Sequence, residues 1–260
     1  MIYDSHAHYD DEKFDTDRVE LLSHLKEHNI GTVVNIGANI NSSKRSVELA
    51  DTFNEVYATV GVHPEDVDEL DADGIELLRT LSSHPKVVAI GEIGLDYYWV
   101  KDDEGRELQR KWFREQLKLA KEVGLPVNIH SRDAAEDTLS IMRGANSEGI
   151  PGIIHCFSYS KEIATEYVKM GYYIGIGGVL TFKNGKKLAE VVDTIPLEKI
   201  VLETDCPYMA PEPYRGQRNS SYYLSEVVKK IADIKNVSEE EVERITYENA
   251  LRIYSKSQRN

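Results

Sequence analysis

Two histidines near the start of the chain have the spacing of a metal-binding pair. His6 and His8 follow a short β-rich segment at residues 1–5, whose apolar start runs into polar residues. Side chains two residues apart on an extended strand point to the same side, and two neutral imidazoles placed this way suit one divalent cation. On spacing alone, an ordinary pair of terminal histidines is an equally good interpretation. The metal hypothesis therefore depends on whether the rest of the chain supplies matching ligands.

Further histidines and carboxylates follow other short β-rich segments of the chain. The candidate ligands among them are Glu92, His130, His155 and Asp205, and His63 also follows such a segment. Five of the eight histidines thus lie at the carboxyl ends of predicted strands, with two carboxylates beside them. The remaining three histidines fall in or after helical segments and are expected on the surface. Four histidines, one glutamate and one aspartate provide enough ligands for two divalent ions that keep open coordination positions.

Glu92 is the predicted bridge between the two ions, because a carboxylate has two oxygens and can bind adjacent cations. One ion would take His6, His8 and Asp205, and the other would take His130 and His155. The alternative for Glu92 is a charged residue at a sheet end, paired with lysine or arginine. The nearby Gly91 and Gly94 favour the metal interpretation, since glycines permit close backbone approach and leave room around a site.

The order of sequence segments predicts the scaffold that would bring these residues together. Short β-rich segments occur at 1–5, 32–36, 56–60, 87–90, 127–129, 152–154, 172–176 and 200–202. Amphipathic, charge-rich segments alternate with them, the first at 17–28, which predicts parallel strands with helical crossovers. Eight such units within 260 residues favour one α/β domain over 1–260, a TIM (β/α)8 barrel whose strand ends meet at one mouth. An open doubly wound sheet is the alternative, but no glycine-rich nucleotide fingerprint follows the first strand.

The composition limits the classes of function. With 41% hydrophobic and 29% charged residues the chain has the composition of a globular protein, and no membrane span or signal segment is evident. The two cysteines, Cys156 and Cys206, argue against a disulfide framework, so a cytoplasmic location is expected. No obligate protein partner is evident, and a monomer is expected. The net charge of −14 opposes non-specific coating of nucleic acid but permits a nucleic-acid enzyme whose cations bind phosphate.

Six sequence motifs carry a family resemblance. They are Asp4-Ser5-His6-Ala7-His8, Gly61-Val62-His63-Pro64, Gly91-Glu92-Ile93-Gly94-Leu95-Asp96-Tyr97, His130-Ser131-Arg132, His155-Cys156-Phe157 and Glu203-Thr204-Asp205-Cys206-Pro207. In this order they resemble the TatD family of metal-dependent deoxyribonucleases, which belongs to the amidohydrolase-like barrel superfamily. One departure is visible: after Asn219 the family usually has Glu-Pro, whereas this chain has Ser220-Ser221. That loop lies close to the expected mouth, so the departure concerns substrate preference.

The resemblance implies a (β/α)8 barrel and hydrolysis of phosphodiester bonds in DNA, often from a 3′ end. It implies the metal ligands His6, His8, Glu92, His130, His155 and Asp205. Asp205 is also the expected general base in a metal-assisted hydrolysis. The cofactors would be two divalent metal ions, and Mg, Mn and Zn all remain open. The alternative is a hydrolase of small amides, esters or lactones on the same binuclear centre. A barrel with a structural metal fits less well, since structural sites are usually closed and rich in cysteine.

Several other residues are candidates for substrate contact. His63 is predicted to hydrogen-bond the scissile phosphate or to protonate the leaving oxygen, and a loop histidine without such a role is its alternative. Candidates for binding phosphate are Arg132, Arg215 and Arg218, because guanidinium matches phosphate geometry. Candidates for stacking on bases are Tyr97, Tyr98 and Trp99. Pairing of the arginines with acids and packing of the aromatics under loops are equally good interpretations.

Overall fold

The structure, a computed structural model, describes residues 1–255. Eight strands form one sheet in chain order, and each pairs in parallel with the next. They are β1 (Ile2–Ala7), β2 (Ile30–Asn35), β3 (Val56–Val60), β4 (Val87–Asp96), β5 (Val127–Arg132), β6 (Gly152–Ile154), β7 (Tyr173–Ile176) and β8 (Ile200–Leu202). A single parallel bridge between Ala7 and Cys206 joins the last segment to the first. The predicted (β/α)8 barrel is therefore confirmed.

Helices connect the strands and cover the sheet. They are α1 (Arg18–Ser23), α2 (Ile40–Thr52), α3 (Ala72–Ser82), α4 (Asp103–Val123), α5 (Ala135–Ser147), α6 (Lys161–Lys169), α7 (Lys186–Thr194), α8 (Leu224–Lys235) and α9 (Glu239–Ile253). Within residues 1–255, no helix combines the length and the apolar character that a membrane span requires. The last five residues of the predicted domain lie outside the described residues.

Helix α4 illustrates how local sequence sets these elements. It begins after Asp102, whose side chain accepts a backbone N–H of the first turn, and it ends at Gly124 in the left-handed conformation. Phe113, Leu117 and Ala120 recur at helical spacing and are buried. Burial of each large apolar side chain contributes about 1.5–3 kcal/mol, so this stripe fixes the helix against the sheet.

Two elements differ from the sequence prediction. The helix expected over 17–28 is divided into α1 and a 3₁₀ helix at Leu25–His28, and Asp17 provides no side-chain cap because its carboxylate pairs with Arg218. Strand β4, predicted over 87–90, continues to Asp96. Its pairing with β5 is irregular between Ile90 and Ile93 and then resumes, so Glu92 lies within the strand rather than beyond it.

Gly94 makes this extension of β4 possible. A Cβ at this position would lie 1.9 Å from the carbonyl oxygen of His130, and the residue has a φ of +149°. A side chain would therefore separate β4 from β5 where both carry candidate ligands. Gly94 thus brings Glu92 and His130 together.

Candidate metal centre

A cavity of about 970 Å³ opens at the carboxyl ends of the strands. Five of the six predicted ligands line it, namely His8, Glu92, His130, His155 and Asp205. His6 is fully buried behind them, with its Nε2 3.4 Å from Glu92 Oε2. All six predicted ligands therefore meet at one mouth, although they are spread over some 200 residues of sequence.

One group of possible ligands consists of His6, His8 and Asp205. The Nε2 atoms of His6 and His8 lie 3.1 Å apart. Asp205 Oδ1 is 3.8 Å from His6 Nε2 and 3.4 Å from His8 Nε2. One atom from each residue thus falls within a sphere that one cation can occupy, which is the first of the two predicted ligand sets.

The second group surrounds Glu92. Glu92 Oε1 lies 2.9 Å from His130 Nδ1 and 3.0 Å from His155 Nε2. Its other oxygen, Oε2, faces the first group, at 3.4 Å from His6 and 3.9 Å from His8. Each oxygen of Glu92 therefore faces a different set of imidazoles, as a bridging carboxylate requires.

His63 comes closer to this centre than the sequence indicated. Its Nε2 lies 3.8 Å from Glu92 Oε1, and it forms a possible ligand group with Glu92 and His130. However, His63 Nδ1 accepts the backbone N–H of Glu65 at 3.2 Å. A neutral ring whose Nδ1 accepts carries its proton on Nε2, where a metal ligand would need a lone pair. The geometry thus favours a proton donor facing the cavity over a ligand.

Two polar residues fix the orientation of ligand rings. The sequence analysis assigned no role to either of them. His130 Nε2 lies 3.0 Å from Asp96 Oδ2, and His6 Nδ1 lies 3.3 Å from Asn128 Oδ1. Each acceptor favours a proton on the ring nitrogen that it contacts, so the nitrogen facing the centre keeps its lone pair. The position of Asn128 could have identified it from the sequence, because it lies two residues before His130 on β5.

Glu203 contacts His155 from behind the centre. Its Oε1 lies 3.5 Å from His155 Nδ1 and accepts the backbone N–H of Cys156 at 2.5 Å. The glutamate fits there because β7 has a glycine opposite: a Cβ at Gly175 would lie 2.1 Å from Glu203 Oε2. The glycine was not singled out from the sequence.

The chain matches the family model for TatD related DNase over residues 3–255. The chain belongs to the TatD family. It is 42% identical over 254 residues to YabD of Bacillus subtilis, described as an uncharacterized metal-dependent hydrolase, with 98% of this chain and 99% of YabD covered. YjjV, a TatD homologue from Escherichia coli with a crystal structure, superposes with a TM-score of 0.90 at 29% identity, with 98% of each chain covered.

More distant solved structures share the barrel fold of this TatD-family chain. The crystal structure of an uncharacterized amidohydrolase from Saccharomyces cerevisiae superposes with a TM-score of 0.86 at 19% identity, over 97% of this chain and 99% of that one. At this identity the likeness concerns the fold alone. The family match and YabD make the chain a metal-dependent hydrolase of the TatD family.

The charges in the TatD-family centre are strongly coupled. Burial alone would raise the pKa of Glu92, but His155, His6 and His63 outweigh it and hold that pKa well below its ordinary value. Burial alone would lower the pKa of His8, but the hydrogen bond to Asp205 and the charges of Asp205 and Glu92 together raise it to about 9. A divalent cation would take the place of the ring protons between these imidazoles and the two carboxylates, so the residues fit the implied metal.

The three arginines predicted to bind phosphate lie in different surroundings. Arg132 lines the cavity, with its guanidinium 3.8 Å from the ring centroid of Tyr98. Arg215 is exposed and lies 4.1 Å from the Phe182 ring. Arg218 forms a bidentate ion pair with Asp17. Among described residues, only Arg132 of these three lines the cavity.

The predicted stacking residues also divide into two kinds. Tyr97 is buried, and its hydroxyl donates to Asp137 at 2.6 Å, so it is unsuited to stacking on a substrate. Tyr98 and Trp99 are 42% and 61% exposed, and Trp99 lines the cavity. Tyr208, which the sequence analysis overlooked, also lines the cavity with 47% of its surface exposed.

Proposed function

We propose that the chain is a deoxyribonuclease that hydrolyses phosphodiester bonds with two divalent ions at the barrel mouth. The observation that supports this most strongly is the position of Glu92, with one oxygen toward each ligand group. His6, His8 and Asp205 would hold one ion, and His130 and His155 the other. Ions held there would lower the pKa of a water and stabilise the charge that develops on phosphate oxygens.

Asp205 is the proposed general base. It lies at the cavity, where burial alone would raise its pKa, but the hydrogen bond to His8 and the charges of the neighbouring imidazoles together hold that pKa below the ordinary value. The carboxylate is therefore ionised at neutral pH and accepts a proton from water beside the ligand groups. Its side chain is 19% exposed, which gives that water access.

His63 is the proposed donor to the substrate. The N–H of Glu65 occupies Nδ1, which places the ring proton on Nε2 at the cavity. Burial, assisted by the positive field of His130, lowers the pKa of His63 to about 3, so the ring is neutral and donates a hydrogen bond without carrying charge. A non-bridging or leaving oxygen of a phosphodiester is a suitable acceptor.

The surroundings of the cavity fit a nucleic-acid strand. Arg132 offers a guanidinium for phosphate, while Trp99 and Tyr208 offer exposed rings for bases. The net charge of −14 provides no general attraction for DNA, so affinity would depend on the ions and on these few contacts. A cavity of about 970 Å³ also admits a small amide, ester or lactone, which remains the second candidate substrate class.

A substrate panel at fixed Mn²⁺ separates these candidates. Single-stranded DNA, duplex DNA, RNA and small esters, amides and lactones are incubated with the wild type and with Asp205→Asn, which controls for contaminating nuclease. The proposal expects cleavage of DNA by the wild type alone. Cleavage restricted to the small molecules would replace the nuclease assignment by the second candidate.

A further inference from the structure

The barrel closes between β1 and β8 without a regular ladder. Within residues 1–255, the recorded pairing there is the isolated bridge between Ala7 and Cys206 rather than a ladder. Three backbone hydrogen bonds reinforce it: His8 N donates to Cys206 O at 2.8 Å, and both Asp205 N and Thr204 N donate to His6 O, at 2.9 and 3.3 Å. The first ligand group spans this junction, with His6 and His8 on one side and Asp205 on the other. Whatever fixes the junction therefore fixes the spacing of those three ligands.

Asp4 is a buried carboxylate that binds both sides of the junction. Its Oδ1 accepts the backbone N–H of His6 at 3.2 Å and that of Thr204 at 3.1 Å. Its Oδ2 accepts the hydroxyl of Thr204 at 2.7 Å and that of Ser221 at 2.6 Å. Asp4 thus connects the backbone of one metal ligand to the residue that precedes another.

Ser221 hydrogen-bonds to Asp4 from a third element of the fold. It opens the 3₁₀ helix that leads into α8, and its hydroxyl also accepts the hydroxyl proton of Tyr9 at 2.9 Å. Its own N–H donates to Tyr9 Oη at 3.0 Å. Ser221 therefore contacts both Asp4 and Tyr9, and it ties the start of this 3₁₀ helix to the junction.

We infer that Ser221 is a positioning residue which, through Asp4, sets the spacing of His6, His8 and Asp205 and thereby the affinity of one metal ion. Loss of the Ser221 hydroxyl would leave Asp4 Oδ2 with one hydrogen-bond donor fewer. The Asp4 carboxylate would then move toward its remaining donors. In the second ligand group Glu92 lies on β4, His130 on β5 and His155 directly after β6, so the backbone that carries this group is outside the junction. The inference rests on the proposed two-ion centre.

The test is a calorimetric titration of the metal-free full-length protein with Mn²⁺. Ser221→Ala should weaken one of the two binding events by about tenfold and leave the other at its wild-type affinity, as removal of an outer partner of a ligand does. Ser221→Thr keeps the hydroxyl and should restore the weakened event. Ser220→Ala is the matched control, because the Ser220 hydroxyl contacts the N–H of Tyr222 rather than Asp4.

The outcomes separate this inference from the function on which it rests. A wild type that binds no Mn²⁺ would remove the metal centre and the inference together. Two wild-type events that persist unchanged in Ser221→Ala would overturn the inference alone, as would equal weakening of both events. If Ser221→Ala does not fold, Tyr9→Phe removes the hydroxyl that supports Ser221 and should weaken the same event.

Discussion

Glu92 Oε1 and His155 Nε2 lie 3.0 Å apart at the mouth of the barrel, although 62 residues of sequence separate them. The other oxygen of Glu92 faces His6 on β1. This carboxylate therefore connects the two halves of the centre, and its loss should affect both ions.

Glu92→Gln removes the negative charge that the two ligand groups share. An amide offers one oxygen and two N–H donors, so it cannot bridge two cations. We expect metal content, measured by elemental analysis after dialysis, to fall for both ions. Glu65→Gln is the matched control, since Glu65 lines the same cavity outside the ligand groups. Wild-type metal content in Glu92→Gln would refute the bridge.

Asp205→Asn should fold as the wild type does and lose nearly all turnover. An asparagine cannot accept the proton from water, and general acid–base catalysis contributes about 10²–10⁴-fold to rate. The measurement is kcat with DNA at saturating Mn²⁺, with thermal unfolding as the check on folding. Full activity in this variant would exclude Asp205 as the base.

Asp96→Asn tests the orientation of His130. The carboxylate that contacts His130 Nε2 at 3.0 Å becomes an amide, which no longer fixes the ring proton on that nitrogen. Affinity for the ion of the second group should fall by about 10–100-fold, while the first group is retained. A Mn²⁺ titration in which both binding events are unchanged would refute a role of Asp96 in orienting His130 for the metal.

Arg218→Ala separates two interpretations of this arginine. Phosphate binding predicts a higher KM for DNA and a flatter salt dependence, as also expected for Arg132→Ala at the cavity. The ion pair with Asp17 predicts instead a loss of about 1 kcal/mol in the free energy of unfolding, with KM unchanged. The observed pairing favours the second result.

The ion pair also gives Arg218→Ala a pH signature. Arg218 holds the pKa of Asp17 below its ordinary value. The ion pair therefore stabilises the folded state at every pH above the ordinary pKa of an aspartate. The contribution is lost as the pH falls through the lowered pKa. The stability difference between wild type and variant should therefore be largest at neutral pH and shrink below about pH 4. A difference independent of pH would contradict the ion-pair interpretation.

The fold and the convergence of the predicted ligands could be predicted from the sequence for a physical reason. Strand-then-helix periodicity predicts parallel strands, and residues that follow such strands must meet at one mouth. His130 and His155 could be placed on this basis. The inward direction of Glu92 could not, because it depends on an irregularity in the pairing of β4 with β5.

Contacts between distant segments could not be predicted from the sequence pattern either. Arg218 and Asp17 pair across 201 positions, and Ser221 reaches Asp4 across 217. Neither contact has a periodic signature, since each depends on where a long loop lies over the barrel. The choice among several acids as the partner of an arginine is made by tertiary packing.

The most direct test of the account is anomalous diffraction from a crystal soaked in Mn²⁺. We predict two peaks, one among His6, His8 and Asp205 and one beside His130 and His155, with Glu92 between them. A crystal without an anomalous peak among these six residues, or with Mn²⁺ bound elsewhere on the chain, would contradict it.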